Sequence, residues 1–388
     1  MGDFRSGVMD PGLQRALRLA EEWAAQWRLC FSPQKCECIC FCAANVRIQR
    51  TFDAQLYGEA LPHVHSLRYL GVWFDEHLTW DRHVREAVAR ARGRLWELRR
   101  CVGTEWGVHP PWFLRMVRGA ILPALFYGAP CWAAVLSSSG RLAQLDGVLA
   151  LAGRLAFGLE RTTSGEACRM LAGLFSARQY IMQSLVRYMW RQQQSVLRVA
   201  SLPRVPEHYV TPHELGRAWF IRAVRGHTLV TPLPRRRRLI FEGVDRALRL
   251  ELQRSWEASD RGRMLHEVLP RVGREWQPLD IDRVPRRGVT LVARFLTGHC
   301  HLGGFSLPWD PLESVPCPLC GGEFSREHLL WECSVVSAQR EEFLSQGLEI
   351  QGIDLGCLAH LSLGSLSRFL LAIRPTFQKG FSEGVLGG

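Results

Sequence analysis

The segment Leu67–Trp80, LRYLGVWFDEHLTW, constrains the fold of this 388-residue chain more than any other stretch. Its first half alternates apolar side chains between two faces, which is the period of a β-strand. Gly71 lies in the middle, where a side chain would block close approach by another backbone or a ligand. Asp75 ends the run, and Thr79 is predicted to cap a long helix. The segment therefore predicts one strand leading into a helix, at the boundary between two structural units.

Helical patterns dominate the chain after this boundary, whereas strand and helix patterns are mixed before it. Residues 35–41 alternate and are predicted to form a strand with Cys36, Cys38, Cys40 and Cys42 on one face. A strand spreads these cysteines over about 20 Å, so they are interpreted as small buried hydrophobic residues, not as ligands of one metal ion. The predicted fold class is mainly α with a small β portion (α+β). Helices are predicted from Asp10-Pro11 to near Leu29, from Thr79, from Pro110, and over 142–157, 165–200, 241–264 and 289–297.

The basic residues are almost all arginines and are unevenly distributed. Of the 49 Lys and Arg residues, all but Lys35 and Lys379 are Arg, and the net charge is +12. Residues 301–388 are net acidic, so the first 300 residues carry the positive charge. Because Arg makes forked, permanently charged contacts with phosphate, nucleic acid is the predicted partner of this part. A GC-rich gene is an alternative explanation for the excess of Arg.

The thirteen cysteines and the hydropathy indicate where the chain resides. An odd cysteine count without the spacing of small secreted domains, and no signal-peptide pattern, predict an intracellular protein in the nucleus or cytoplasm that is not secreted. Residues 119–140 lack charge and are long enough to span a bilayer. Pro123, Gly128 and Pro130 interrupt them, so a buried helix followed by a turn is predicted, with no membrane association.

Four residues near the C-terminus have the spacing C-x2-C-x7-H-x4-C: Cys317, Cys320, His328 and Cys333. Three thiolates and one imidazole predict a closed, tetrahedral, structural zinc site. Gly321 and Gly322 free the backbone to fold around the ion. His299 and His301 are alternative ligands at a looser spacing. Because Glu323, Glu327 and Glu332 surround the cluster, a folding role is predicted in preference to phosphate binding.

Two arginine-rich stretches offer further candidates for nucleic-acid binding. Arg235, Arg236, Arg237 and Arg238 follow Pro232 and Pro234 and predict an exposed basic linker, with nuclear import or phosphate contact as functions. The helix after Thr79 has a narrow apolar seam and arginines over the rest of its surface. Such a helix is either simply solvated or lies along a nucleic acid.

The order of these motifs resembles the reverse transcriptases of jockey-like non-LTR retrotransposons. Residues 27–35, WRLCFSPQK, resemble the late palm, and Tyr69–Val72 with Asp75 and Trp80 is similar to the strand between palm and thumb. Residues 123–132 resemble the second thumb helix. Leu296–His299 and the Cys/His cluster are similar to the C-terminal zinc region of these elements.

The resemblance implies a domain organisation and roles for individual residues. It implies the end of a palm with a primer-grip-like strand (1–78), a helical thumb (79–200), a basic helical connector (201–300), and a zinc region with C-terminal helices (301–388). Tyr69, Leu70, Gly71 and Val72 are implied to hold the primer end of an RNA or DNA template-primer. Lys35 is implied to act as a general acid toward pyrophosphate.

One departure from the family limits the predicted activity. Polymerase chemistry needs carboxylates that hold two magnesium ions, and this chain contains no Asp-Asp pair. We therefore predict a C-terminal fragment that binds template-primer but does not extend it alone. Magnesium belongs only to the intact parent polymerase, and the missing N-terminal polymerase and endonuclease portions are its implied partners. Alternatives are a non-enzymatic, zinc-containing nucleic-acid-binding remnant or domesticated protein, and a helical protein-interaction scaffold.

Overall fold

A computed structural model describes residues 11–41, 54–194, 233–259, 265–266, 284–302, 305–306, 315–344 and 363–382. The fold is mainly α-helical with a small β portion, which confirms the predicted class. The helices are α1 (Pro11–Gln26), α2 (Asp81–Arg99), α3 (Pro110–Met116), α4 (Leu122–Leu125), α5 (Ser139–Phe157), α6 (Gly165–Leu171), α7 (Ala177–Gln194), α8 (Leu233–Glu257), α9 (Arg286–Leu296), α10 (Ser337–Leu344) and α11 (Leu363–Ser382). The strands pair as antiparallel ribbons: β1 (Gln55–Leu56) with β2 (Glu59–Ala60), β3 (Ser66–Tyr69) with β4 (Val72–Asp75), and β5 (His301–Leu302) with β6 (Phe305–Ser306).

The alternating segment is a β-hairpin, so the prediction of a single strand was wrong. The chain reverses at Leu70 and Gly71, and Tyr69 pairs with Val72 across the ribbon. Both turn residues have positive φ, 47° and 88°. Two successive positive φ angles match the twist of the flanking strands, which is why two-residue loops favour them. The usual sequence signal was weak, because Leu occupies a position that normally takes Asn, Asp or Gly.

The cysteine-rich stretch before residue 42 is not a strand, so this prediction was also wrong. A one-turn 3-10 helix, Pro33–Lys35, precedes it, and Cys38 makes a single isolated bridge to His63. Cys36 and Cys38 are partly buried against a small apolar cluster of Ala54, Leu56 and Leu61. Their interpretation as small hydrophobic residues agrees with this packing. Cys42 lies outside the described residues.

The start of α2 is fixed by a side chain on the hairpin. Trp80, not Thr79, is the residue that precedes the helix, and its φ is 68°. The two carboxylate oxygens of Asp75 accept hydrogen bonds from the backbone N–H groups of Thr79 (2.8 Å) and Trp80 (2.7 Å). These bonds satisfy donors next to the helix start. Asp75 therefore sets the angle between the hairpin and α2.

Helices α2 to α7 pack around one apolar core that extends into the C-terminal helices. A π-helical turn, Val117–Ile121, joins α3 to α4, and a turn and a 3-10 helix, Ala133–Ser137, follow. The uncharged stretch 119–140 is thus a helix followed by a turn, as predicted. Within the described residues, no helix is long and apolar enough to cross a membrane.

Helix α9 is attached to the end of α5 by a buried arginine. Arg286 donates hydrogen bonds to the carbonyl oxygens of Ala156, Leu155 (3.1 Å) and Gly103 (3.2 Å). Two of these carbonyls belong to the last turn of α5, where backbone acceptors lack helical partners. Burial lowers the pKa of Arg286 to about 10. Arg294, two turns later on α9, donates to the Gly158 carbonyl at 2.8 Å, so both ends of the helix are attached.

The four-arginine run belongs to a helix, so its interpretation as a linker was wrong. Arg235–Arg238 lie in the first two turns of α8, which begins at Leu233. Pro234 is compatible with this start because a proline in the first turn sacrifices no helical hydrogen bond. The exposed Arg238 side chain pairs with Glu242 one turn later, at 2.8 Å.

Candidate metal centre and nucleic-acid surface

The structure brings the four predicted ligands together into one Cys3His cluster. The ligand atoms of Cys317, Cys320, His328 and Cys333 all lie within 4.8 Å of one another. The Cys320 Sγ atom lies 3.0 Å from His328 Nε2 and 3.7 Å from Cys333 Sγ. Three of the four residues are buried, and Cys320 is exposed. This arrangement can hold a metal ion.

A tight backbone turn presents the first two cysteines. The backbone N–H of Cys317 donates to the Gly322 carbonyl, and that of Gly321 donates back to the Cys317 carbonyl at 2.8 Å. Gly321 has a φ of 78°, which favours glycine. A Cβ atom at Gly322 would lie 2.8 Å from His328 Cε1, so the bare backbone makes room for the imidazole. Both glycines are thus required by the turn.

The spacing between His328 and Cys333 is explained by a π-helical turn. In a regular α-helix, residues five apart point about 140° away from each other. Here residues 328–332 form a π-helix, and the Cys333 N–H donates to the His328 carbonyl at 2.7 Å. An i→i+5 turn widens the helix, so both side chains face the same point. The Ser325 hydroxyl accepts from the His328 N–H at 3.0 Å and fixes the start of this turn.

The pKa values of the three thiols in the cluster are shifted in different directions. Burial raises the pKa of Cys317, and burial together with the hydrogen bond to Cys320 raises that of Cys333 to about 12. Burial acts in the same direction on Cys320, but hydrogen bonds from the Gly322 N–H and the neighbouring thiols outweigh it and lower its pKa. A metal ion must displace the protons of the two buried thiols.

The second imidazole nitrogen of His328 faces a carboxylate. Its Nδ1 atom lies 3.5 Å from Glu332 Oε2. This leaves Nε2 for a metal ion and orients the ring through a partner outside the ligand set. The alternative ligands are placed elsewhere: His299 Nδ1 lies 3.4 Å from the Thr162 hydroxyl, and His301 does not join the cluster.

The hairpin tip forms a second candidate site, which is exposed where the Cys3His cluster is mostly buried. The side chains of Tyr69 and Leu70 are 62% and 73% exposed, although both are large and apolar. Gly71 approaches the ring of Tyr127 so closely that a Cβ atom would lie 3.2 Å from it. Val72 points the other way and is buried over Gly128. Two motifs far apart in the sequence therefore meet here, and they support an exposed tip.

Contacts with aromatic residues and one histidine hold the base of the hairpin against the helices. Trp132 is fully buried, and its Nε1 donates to the Tyr127 carbonyl at 2.9 Å. His83 of α2 packs against the Trp132 ring at 5.1 Å, and its Nδ1 accepts from the Trp73 N–H at 3.3 Å. Burial lowers the pKa of His83 to about 4. His83 is not among the residues predicted from the sequence; its position beside the apolar seam of α2 was the available signal.

Helix α2 carries an arginine row, formed by Arg85, Arg92 and Arg99. All three are exposed, and their seven-residue spacing puts them on one side of the helix, about 10.5 Å apart. Glu86 and Glu97 fall on other sides of the helix. One turn before the row, the Arg82 guanidinium lies 3.7 Å over the Trp73 ring and bonds the Ser66 hydroxyl. These contacts join the positive surface of α2 to the hairpin.

Lys35 and Arg235–Arg238, the other predicted site residues, belong to other elements than the hairpin and α2. Lys35 is exposed and ends the short 3-10 helix beside the small cluster of Ala54, Leu56 and Leu61. Arg235–Arg238 begin α8, and among their side chains that of Arg238 is described, paired with Glu242. The structure brings neither group to the Cys3His cluster.

Comparison with known proteins finds relatives among the proteins of retrotransposable elements. It is 24% identical over 316 residues to the "Retrovirus-related Pol polyprotein from type-1 retrotransposable element R1" of Nasonia vitripennis, covering 81% of this chain and 84% of the relative. It is 27% identical over 175 residues (44% of this chain) to the "Putative 115 kDa protein in type-1 retrotransposable element R1DM" of Drosophila melanogaster, covering 16% of it. It is also 27% identical over 115 residues (30% of this chain) to the "RNA-directed DNA polymerase from mobile element jockey" of Drosophila funebris, covering 12% of it.

These relatives are proteins of retrotransposable and mobile elements, and this chain is similar to them at 24–27% identity. More particularly, the chain is related to R1 and jockey elements, which confirms the resemblance inferred from its motifs. It spans most of the Nasonia relative but a small part of the other two. No family model matches the chain, and no solved structure matches it.

Proposed function

We propose that this chain is a nucleic-acid-binding part of a non-LTR retrotransposon reverse transcriptase that holds a template-primer without extending it. The observation that carries the proposal is the meeting of Tyr69–Val72 with Tyr127 and Gly128, which presents an exposed tip beside the arginine-bearing α2. Two of the relatives are named for an RNA-directed DNA polymerase. The primer end contacts the tip, and the arginine row neutralises phosphates along the duplex.

The contacts of the tip suit the end of a primer. An exposed Tyr ring can stack on a terminal base or ribose, and Leu70 adds apolar area at the turn. Because Asp75 and His83 fix the hairpin on α2, the tip and the arginine row move as one body. Arg235–Arg238, at the start of α8, are proposed as a separate contact with phosphate. Lys35 keeps its proposed general-acid role only in a complete polymerase, because this sequence has no Asp-Asp pair to hold magnesium.

We further propose that the Cys3His cluster holds a structural zinc ion. Four ligands around tetrahedral zinc put sulfur atoms about 3.8 Å apart and a sulfur and a nitrogen about 3.6 Å apart. The observed Cys320–Cys333 distance of 3.7 Å fits, and the 3.0 Å Cys320–His328 distance requires a small opening. All four positions are taken by protein, so zinc would stabilise the fold and would leave no place for a reacting water.

The binding role is tested with a labelled RNA template annealed to a DNA primer, titrated with protein while salt is varied. For the double substitution Arg85→Gln/Arg92→Gln, we expect the slope of log K against log salt to become shallower by about two. The matched control is Arg15→Gln/Arg18→Gln, which removes two exposed arginines from α1. Tyr69→Ala/Leu70→Ala should weaken binding to the template-primer and leave binding to a closed circular duplex, which has no strand ends, unchanged.

Three outcomes would contradict the proposal. Absence of binding at 50 mM salt would remove nucleic acid as the ligand and favour a protein-interaction scaffold. An equal change of slope in both arginine pairs would remove the specific role of the row. Template-dependent extension of the primer with magnesium and deoxynucleotides would show that the chain polymerises, contrary to the expectation of binding alone.

A further inference from the structure

The connection between α2 and α3 carries three exposed tryptophans. Trp96 lies in the last turn of α2, Trp106 in the loop and Trp112 in the first turn of α3, so all three lie at one end of the helical bundle. Their exposed fractions are 50%, 61% and 58%. Tryptophan is usually largely buried, and exposed apolar groups concentrated in one place mark interaction surfaces. We call these residues the tryptophan surface.

The loop that presents Trp106 is held rigidly. Val102 pairs with Gly107 across the loop, and the Gly103 N–H donates to the Trp106 carbonyl at 2.9 Å. A Cβ atom at Gly103 would lie 2.4 Å from Trp106 Nε1, so the indole rests directly on the backbone. Arg286 of α9 donates to the Gly103 carbonyl, and Arg374 of α11 pairs with Glu105 at 2.9 Å. An exposed ring on an ordered loop binds with little loss of conformational entropy.

An arginine guanidinium lies over one face of each of the other two tryptophans. The Arg99 guanidinium lies 5.3 Å from the centre of the Trp96 ring, and that of Arg115 lies 5.2 Å from the Trp112 ring. A cation over one face of an indole leaves the opposite face for a planar ligand. The adjacent Arg100 is exposed as well, and Glu97 is the acidic neighbour on this part of α2. The tryptophan surface is therefore both aromatic and net positive.

We propose that the tryptophan surface binds single-stranded nucleic acid, with unpaired bases stacked on Trp96, Trp106 and Trp112 and phosphates neutralised by Arg99 and Arg115. Every base has a flat face, so this binding is tolerant of sequence. A duplex keeps its bases stacked on one another and cannot use the indoles. The surface thus adds a second ligand, an unpaired strand, to the duplex proposed above. A protein partner would contact the same aromatic area but would not require Arg99 and Arg115 beside the rings.

The test uses a labelled twelve-nucleotide oligo(U) RNA, with a blunt duplex of the same length as the comparison ligand. We expect Trp96→Ala/Trp112→Ala to weaken oligo(U) binding roughly tenfold for each tryptophan removed, without change for the duplex. The matched control is Trp23→Ala/Trp27→Ala, a pair of exposed tryptophans near the end of α1. Trp96→Phe/Trp112→Phe, which keeps aromatic faces, should retain most of the affinity. Thermal unfolding of each variant verifies that the fold is retained.

The results separate this proposal from the proposed template-primer function. Equal losses in the two alanine pairs, or unchanged oligo(U) binding in Trp96→Ala/Trp112→Ala, would overturn it. So would a wild-type protein that does not bind oligo(U) at 50 mM salt, which would point to a protein partner. Failure to bind template-primer duplex with retained, tryptophan-dependent oligo(U) binding would reject the earlier proposal and support this one.

Discussion

The Cys3His cluster and the hairpin tip are built in opposite ways. In the cluster, three of four side chains are buried, the chain is bent by a π-turn, and the neighbouring charges are mixed, with Glu332 beside His328 and Arg340 bonded to the Cys333 carbonyl. At the tip, Tyr69 and Leu70 project into solvent, and the adjoining α2 carries exposed arginines. Both rely on glycines, but Gly322 makes room for a side chain inside the cluster, whereas Gly71 allows a sharp turn at the surface.

The difference separates residues that hold the protein together from residues that face a ligand. A closed, buried cluster has no free position for a reactant, so its loss should act on stability. An exposed tip contributes little to the core, so its loss should act on binding. Three stability measurements test this division, because each perturbs one of the two regions while binding is followed separately.

The largest effect is expected from the metal cluster. Cys333→Ser should reduce bound metal from one equivalent to less than half and lower the free energy of unfolding by about 4 kcal/mol or more, because loss of a metal site is among the most destabilising changes. Metal analysis and urea unfolding measure both quantities. Cys101→Ser, which removes an exposed thiol outside the cluster, is the control. Equal metal content in wild type and Cys333→Ser would show that the cluster holds no ion.

A smaller effect is expected from acid at the base of the hairpin. His83 has a pKa of about 4 in the folded protein, below its ordinary value of 6.5, because burial disfavours the charged imidazolium. The unfolded chain then binds more protons between these values, so stability is full above pH 6.5 and is lost as the pH falls through 4. The loss is about 3 kcal/mol.

This pH dependence can be assigned by substitution. His83→Gln keeps an acceptor for the Trp73 N–H and cannot titrate, so the free energy of unfolding should vary less between pH 7 and pH 4.5. An identical pH profile in His83→Gln and wild type would show that other groups cause the acid loss.

The smallest effect compares two glycines. Gly71→Ala forces a Cβ atom to 3.2 Å from Tyr127 at a φ of 88°, so we expect a loss of about 1–2 kcal/mol in the free energy of unfolding. Gly93 lies within α2 with nothing within 4 Å of its Cβ position. Gly93→Ala should therefore stabilise the protein by about 0.5–1 kcal/mol. Stabilisation by both substitutions would mean that the turn at Gly71 is not strained by a side chain.

The sequence predicted some helices well because their signals are local, whereas the predicted helix over 165–200 is two helices, α6 and α7. Caps, prolines and apolar spacing placed α1, α5 and α9 close to their observed bounds. The spacing of the Cys3His cluster also sufficed to bring its ligands together, because a short segment with two glycines has few ways to fold. What could not be predicted from local pattern depends on distant contacts.

The hairpin illustrates this limit. Alternation continues through Leu70 and Gly71, so the pattern alone looks the same for one strand and for two paired strands. The reversal is stabilised by Tyr127 and Gly128, more than fifty residues later, and no local signal announces them. The exposure of Trp96, Trp106 and Trp112 was likewise invisible, because apolar residues in a helical pattern normally predict a core.

Arg286 has a mechanical consequence for the whole molecule. Its guanidinium bonds carbonyl oxygens at the end of α5 and in the loop after α2, so both segments are joined directly to the first turn of α9. A bound strand that pulls on α2 would therefore displace α9, and with it α11, which packs against α9. The part of the chain that carries the Cys3His cluster would then be coupled to a ligand bound on α2.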